Sequence, residues 1–341
     1  MWRCGSRANE NVCPLNKGRA QVLLVAFLLV FTADAHSAER VTAVYTSITG
    51  AYAPLWVGRD KKLFDKYGIE ANTVYMRGTI PTSAALANGE IDFIQAGAST
   101  YIPYAAKGGD VVILGCLANI VLDYVLLIQP SIRRVEELRG KPVGISRAGD
   151  QIFYYLREIL KKYGMSIKDV RMVQTGQQPE RMAALRHGLV VATILNTPNN
   201  LVLEHDGFRR LVEMEEMKIP AGVRCLITTR RFVRQRSATA ENFVKGWLNS
   251  VRYIQTHKKE TMEIIGKYTN NGNAEQLQDA WQSLTYKTEI PPYVSVPNLQ
   301  GQIQIIAEEQ ADIRKLDAAK IVNNSIMKKL DESGWIKALF Q

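Results

Sequence analysis

The sequence predicts an α/β fold of two similar lobes with mainly parallel sheets and a ligand cleft between them. Three observations carry this prediction. A strand–loop–helix–strand pattern begins at residue 41 and runs twice in succession. Short phrases recur at a nearly constant spacing: ALANGEIDFI (85–94) is echoed by ALRHGLVVATI (184–194), setting Leu86 against Leu185 and Gly89 against Gly188. The chain of 341 residues, 46% of them hydrophobic, is long enough for two domains and contains no low-complexity run.

In the first half, VTAVYTS (41–47) is short and β-branched and reads as a strand. APLWVGRDKKLFDKYG (53–68) reads as a helix, with Pro54 in its first turn, Trp56, Leu63 and Tyr67 on one face, and Gly68 as its stop. IEANTVYM follows as a strand, and IPTSAALANG as a helix opened by Pro81 and closed by Gly89. IDFIQAG and DVVILGCLA are further strands, separated by a short helix in STYIPYAAKGG.

The second half repeats this order. KPVGIS (141–146) is a strand, and helix 151–163 carries Ile152, Tyr155, Leu156, Ile159, Leu160 and Tyr163 on one face. Asp150 is its natural N-cap and Gly164 its stop. DVRMVQT, PERMAALRHG and VVATILN read as strand, helix and strand. After the first strand of each half comes Ser-x-x-Gly: Ser47 and Gly50, then Ser146 and Gly149, each 99 positions later. Tyr67-Gly68 and Tyr163-Gly164 are 96 apart.

Alternating strands and helices place ligands beyond the C-terminal ends of the strands. Both Ser-x-x-Gly loops fall there, each leading into a helix whose first N–H groups are free and whose dipole favours negative charge. Two facing lobes would offer two such ends to one small ligand, so the repeat reads as a pair of jaws.

The N-terminus reads as an export signal. Arg3, Arg7, Lys17 and Arg19 precede VLLVAFLLVF (22–31), and small residues follow in TADAHSA. Cleavage after Ala35 fits best, with Ala38 as second choice and an uncleaved anchor as the alternative. Ten apolar residues are short for a membrane span. Removing 1–35, with four basic and two acidic residues, lowers the net charge from +10 to +8. The basic residues are scattered, apart from TTRRFVRQR (228–236), and no basic stripe interleaved with aromatics points to nucleic acid. Past the leader only Cys116 and Cys225 remain, both in apolar runs. They read as two buried thiols, with one disulfide as the alternative in an oxidising compartment. Zinc-ligand spacing is not found.

The segments APLWVGRDKKLFDKYGIEANTVYM, ALANGEIDFIQAG, VEELRGKPVGISRAGDQ and PERMAALRHGLVVATILNTP resemble the type II periplasmic solute-binding proteins. More narrowly, they resemble the branch serving ABC importers of sulfonates, taurine, nitrate or the thiamine pyrimidine precursor. The resemblance is strong over about 41–260. It implies a first lobe from 36–124 and 223–341, a second from 125–222, and crossovers near 121–130 and 215–227. A helix over 239–256 would cover the first lobe with Phe243, Trp247, Val251 and Ile254.

It also implies a monomeric periplasmic protein whose partners are a small-molecule ligand and a membrane permease, with no cofactor. By position, its ligand-lining loops map onto Ser47, Gly50, Ala51 and Tyr52; Gly97, Ser99 and Thr100; Arg147, Gly149, Asp150 and Gln151; and Thr197 and Asn199. Tyr52 either packs on its own helix or stacks on the ligand. Ser99 and Thr100 are expected to act only as helix caps, and Asp150 as the N-cap rather than a partner for an amine. Arg147 is either an exposed loop charge or a contact for an anionic head group. One departure is HGLVVATI, with Val190 or Val191 where the family usually carries an acidic residue. An enzyme on the same fold, including one using Cys116 as nucleophile, and a periplasmic sensor are the rival readings.

Overall fold

The computed structural model describes residues 38–197 and 199–341. The leader expected over 1–35 lies outside the described residues. Five strands, β1 (Glu39–Tyr45), β2 (Ile69–Tyr75), β3 (Phe93–Ala96), β4 (Val112–Ile120) and the late-arriving β10 (Pro220–Thr228), build one sheet in the order β2-β1-β3-β10-β4. The intervening strands, β5 (Tyr124–Ile128), β6 (Pro142–Ile145), β7 (Arg171–Gln174), β8 (Ala192–Asn196) and β9 (Arg209–Glu213), build the other in the order β7-β6-β8-β5-β9. The orders correspond position by position, with β1 matching β6, β2 matching β7, β3 matching β8 and β10 matching β5. The repeat read in the sequence is therefore a repeat of architecture.

Each sheet is mainly parallel, with one strand running against the other four. β1 pairs in parallel with β2 and β3, and β6 with β7 and β8. β10 runs antiparallel to β3 and β4, and β5 antiparallel to β8 and β9. The reason is how the chain passes between sheets. β4 ends at Ile120 and β5 begins in the other sheet at Tyr124; β9 ends at Glu213 and β10 begins in the first sheet at Pro220. A strand entering directly from the neighbouring sheet starts where the others finish, so it must run backwards.

That reversal also decides the cysteines. Cys116 on β4 lies directly opposite Cys225 on β10, with Cα atoms 3.9 Å apart, and the two are disulfide-bonded. The expectation of two free buried thiols is corrected: directly opposed residues of an antiparallel pair bring their side chains together on one face.

The helix expected over 53–68 stops early. It runs Ala53–Asp60, and Lys62 then takes a left-handed conformation with φ 51°. The N–H of Leu63 bonds back to the Gly58 carbonyl at 2.8 Å, a helix ending of the kind glycine usually provides. The break turns the Phe64 ring into the crossing between this helix and the long helix Ser237–Thr256, where it stacks on Phe243 with centroids 4.7 Å apart. Phe243, Trp247, Val251 and Ile254 of the long helix are all buried.

Two glycines make room for Phe64. A Cβ at Gly246 would fall 2.4 Å from its Cδ1 and 3.1 Å from its Cα, and one at Gly58 would fall 2.3 Å from its Cε2. The Gly246→Ala variant is therefore expected to lose about 1–3 kcal/mol of stability by overpacking, despite alanine's better helix propensity. Urea unfolding checks this; an unchanged midpoint would mean the helix crossing can spread at no cost.

Candidate functional site

Between the sheets, at the ends where the parallel strands finish, lies a cleft of about 420 Å³. Each sheet supplies it with residues from three strand ends. From the first come the loop after β1, with Thr46, Ser47, Ala51 and Tyr52, and the loop after β2, with Arg77, Gly78 and Thr79. The second supplies Ser146, Arg147, Asp150 and Gln151 after β6, and Gly176, Gln177 and Gln178 after β7. Gly97 and Thr100 follow β3, and Asn196 ends β8. Asp123, in the passage before β5, Tyr124 at the start of β5, and Arg224 within β10 complete the lining.

Of the residues expected at the site, Ser47, Ala51, Tyr52, Gly97, Thr100, Arg147, Asp150 and Gln151 line this cleft. The carbonyl of Ala51 accepts from Gln95 Nε2 at 2.8 Å, and Gln95 Oε1 accepts from the buried Trp247 indole at 3.1 Å, so a core residue fixes the loop. Tyr52 bonds Thr46 Oγ1 at 2.8 Å, and burial pushes its hydroxyl up to about 12, keeping it a neutral group. Gly97 faces the opposite wall closely: a Cβ there would lie 3.5 Å from Gln151 Nε2.

The other expected residues do not line it. Gly50 faces the helix Ala274–Tyr286, where a Cβ would meet Ala280 at 3.3 Å. Gly149, at φ 75°, turns toward Gln310. Thr197 lines a different cavity. Asn199 donates to Gln178 Oε1 at 3.1 Å and holds that side chain in place. Ser99 is buried, and neither it nor Thr100 caps a helix. A 3-10 turn over Ala98–Thr100 shifts the N-cap of Ile102–Ala106 to Tyr101, whose side chain makes no cap bond, which corrects the capping expectation.

Asp150 is the N-cap it was expected to be. One oxygen accepts from the N–H groups of Ile152 and Phe153, both at 3.1 Å, and the other accepts from the Ser146 hydroxyl. This alters the electrostatics inferred from the sequence, because the helix Gln151–Lys162 is capped by its own carboxylate. Two helices without a side-chain N-cap, Thr79–Asn88 and Gln178–Arg186, have first residues that line the cleft.

They are a second echo, one the sequence reading missed. Gly78 and Gly176 have φ 97° and 100°, and each sits three residues before a proline, Pro81 and Pro179. The Gly-x-x-Pro spacing of GTIP and GQQP was the available signal.

The cleft is cationic, with Arg77, Arg147, Arg181 and Arg224 against Asp123 and Asp150. Arg147 is exposed at the rim. Arg77 reaches across the mouth to Glu180, with Nη2 3.9 Å from Oε1. Arg224 is 4% exposed; one arm of its guanidinium pairs with Asp123, and Nη1 has no partner. Both members of that pair are non-glycine residues held at positive φ, 60° for Asp123 and 52° for Arg224, a strain typical of functional sites.

Arg181 is 2% exposed. Its Nε donates to the Ile194 carbonyl at 3.3 Å and its Nη1 to the Gly176 carbonyl at 2.9 Å. Among the described residues no carboxylate comes within 4 Å of it, and burial of this unneutralised charge lowers its pKa.

Two matched mixed sheets exchanging one strand order, with a cleft at the strand ends, define the type II periplasmic-binding-protein fold. The sequence matches the NMT1/THI5-like family over residues 50–261, and the chain belongs to that family. No curated protein matches it.

Among solved structures, it is similar to the periplasmic aliphatic sulphonate binding protein SsuA from Escherichia coli. The identity is 18%, the TM-score 0.70, and the alignment covers 84% of this chain and 92% of that one. The periplasmic nitrate-binding protein NrtA from Synechocystis PCC 6803 aligns with 12% identity and a TM-score of 0.70, over 89% of this chain and 91% of that one. DszB in complex with biphenyl-2-sulfinic acid aligns at 12% identity and a TM-score of 0.67, over 87% and 99%. At such identities the likeness is one of fold.

Proposed function

We propose that the chain is an extracytoplasmic solute-binding protein that closes two lobes on a small organic anion and delivers it to an ABC permease. The observation that carries this reading is Arg181, a buried guanidinium in the cleft wall without a carboxylate partner among the described residues. A buried charge is costly unless paired, so a site that keeps one is built for a counterion arriving from outside. The uncapped helix ends at Gly78 and Gln177 add N–H donors of the same sign preference.

In this reading 36–124 and 223–341 form one jaw and 125–222 the other, and the anion stabilises the closed arrangement that the permease recognises. Residues 1–35 are removed on export to the periplasm, and the protein acts as a monomer. The names of SsuA and NrtA, sulphonate and nitrate binders, favour the same sign of ligand. Binding is preferred over cysteine-dependent catalysis because the Cys116 sulfur is bonded to Cys225.

A thermal-shift panel on residues 36–341 tests the proposal, using sulfonates, taurine, nitrate, small carboxylates and aminopyrimidines. An anion at a hundred times its Kd adds about 2.7 kcal/mol of stability, a readable shift. Stabilisation by aminopyrimidines alone, or chemical consumption of a stabilising compound, would overturn it.

A further inference from the structure

Where β8 meets the cleft, a chain of amides has a direction that can be read atom by atom. The backbone N–H of Asn196 donates to Gln178 Oε1 at 3.2 Å, and an N–H can only donate, so that end of Gln178 is its oxygen. Asn199 Nδ2 donates to the same oxygen at 3.1 Å. The other end of Gln178 is therefore Nε2, and Asn196 receives its bond on Oδ1.

That leaves Asn196 Nδ2 as the group turned elsewhere. It has no partner among the described residues, and it is not sealed in the interior: Asn196 keeps 6% of its surface and lines the cleft. A primary amide whose two ends are otherwise interchangeable is thus held with its donor outward.

Two neighbours present donors in the same way. Tyr124 lies directly opposite Asn196 where β5 and β8 pair, so their side chains share one face, with Cβ atoms about 5 Å apart. The Tyr124 ring packs edge-on against Tyr155 with centroids 5.1 Å apart. Its hydroxyl has no hydrogen bond among the described residues and stays open to the cleft. Burial raises its pKa, which keeps the O–H a neutral donor. Arg181 stands one turn after Gln178 on the helix Gln178–Arg186. Its Nε and Nη1 are committed to carbonyls, and its Nη2 is unbonded among the described residues and likewise not sealed.

We infer that Asn196 and Tyr124 complete an oxyanion receptor with Arg181, and that Gln178 is the positioning residue that aims the Asn196 amide. The inference rests on the anionic-solute reading and deepens it. It assigns the ligand's head group to the second lobe, and it requires a head group with several accepting oxygens, one set against a charged donor and the others against neutral ones. Sulfonate, nitrate and carboxylate heads meet that requirement.

Calorimetric titration of residues 36–341 with ethanesulfonate, nitrate and acetate in turn tests it, a melting curve confirming the fold of each variant. Asn196→Ala should weaken whichever of the three binds the wild type by about ten- to a hundredfold, the size of a hydrogen bond to a charged group. Asn196→Asp keeps the shape but puts an acceptor where the donor was and a resident carboxylate beside Arg181, and it should abolish binding. Tyr124→Phe removes a single atom, changes no charge and should cost about tenfold. Gln178→Met should reproduce the Asn196→Ala loss and add nothing to it in the double variant, because it acts only through that amide. A wild type that binds none of the three removes the anionic solute and the receptor together. A wild type that binds, with affinity unchanged in Asn196→Asp or in Tyr124→Phe, overturns the receptor and leaves the anionic solute standing. Additive losses from Gln178→Met and Asn196→Ala overturn the positioning role.

Discussion

Replacing Arg181 by methionine is expected to weaken anion binding by about 2–5 kcal/mol, roughly thirty-fold to several thousand-fold, without lowering the stability of the ligand-free protein. The two effects separate because the guanidinium is buried without a carboxylate, so an unliganded protein gains little from its charge. Methionine fills similar volume and removes the desolvated cation, at the loss of two bonds to the carbonyls of Gly176 and Ile194. Titration with whichever anion the panel identifies, beside a melting curve without ligand, reads both. A variant that melts much lower but binds normally would make Arg181 a structural strut and remove the main support for an anionic solute.

The second large effect concerns the disulfide. Cys116 and Cys225 are 109 positions apart, so their bond closes a long loop in the unfolded chain. A loop of that length is worth about 4–5 kcal/mol on the chain-entropy account, within the 2–5 kcal/mol usually lost when a native bridge is removed. The double variant Cys116→Ala, Cys225→Ala is expected to unfold at clearly lower urea than the oxidised protein, and reductant should shift the wild type the same way. Equal midpoints would mean that the sheet holds these strands unaided.

The sequence carried the repeated architecture in local signals. Gly89 and Gly188 end corresponding helices, and Asp150 caps the helix after it, because such features depend on a few neighbouring residues. Long-range pairing was not legible. VLDYVLLIQP reads as a connection, but Tyr124–Ile128 is a strand, since its direction depends on where the chain crosses between sheets. The disulfide was undecided for the same reason.

At the site, the loops after β1 and β6 were found through Ser-x-x-Gly, and those after β2 and β7 were missed although GTIP and GQQP repeat. Arg181 and Arg224 could not be found by pattern. Arg181 occupies an ordinary helical position and Arg224 sits inside an apolar run, and only burial distinguishes them from solvated surface charges.

The whole second sheet, 124–213, is an insertion into the first, leaving after β4 and returning in β10. Cys116 and Cys225 therefore sit at its root, one on the outgoing strand and one on the returning strand. A protease that nicks the backbone anywhere between them severs the chain without releasing a fragment. The two pieces remain one covalent molecule, and the strands that anchor the inserted half stay side by side. In a compartment where proteases are present and no ATP-driven repair is at hand, such a clasp lets a nicked molecule hold its shape.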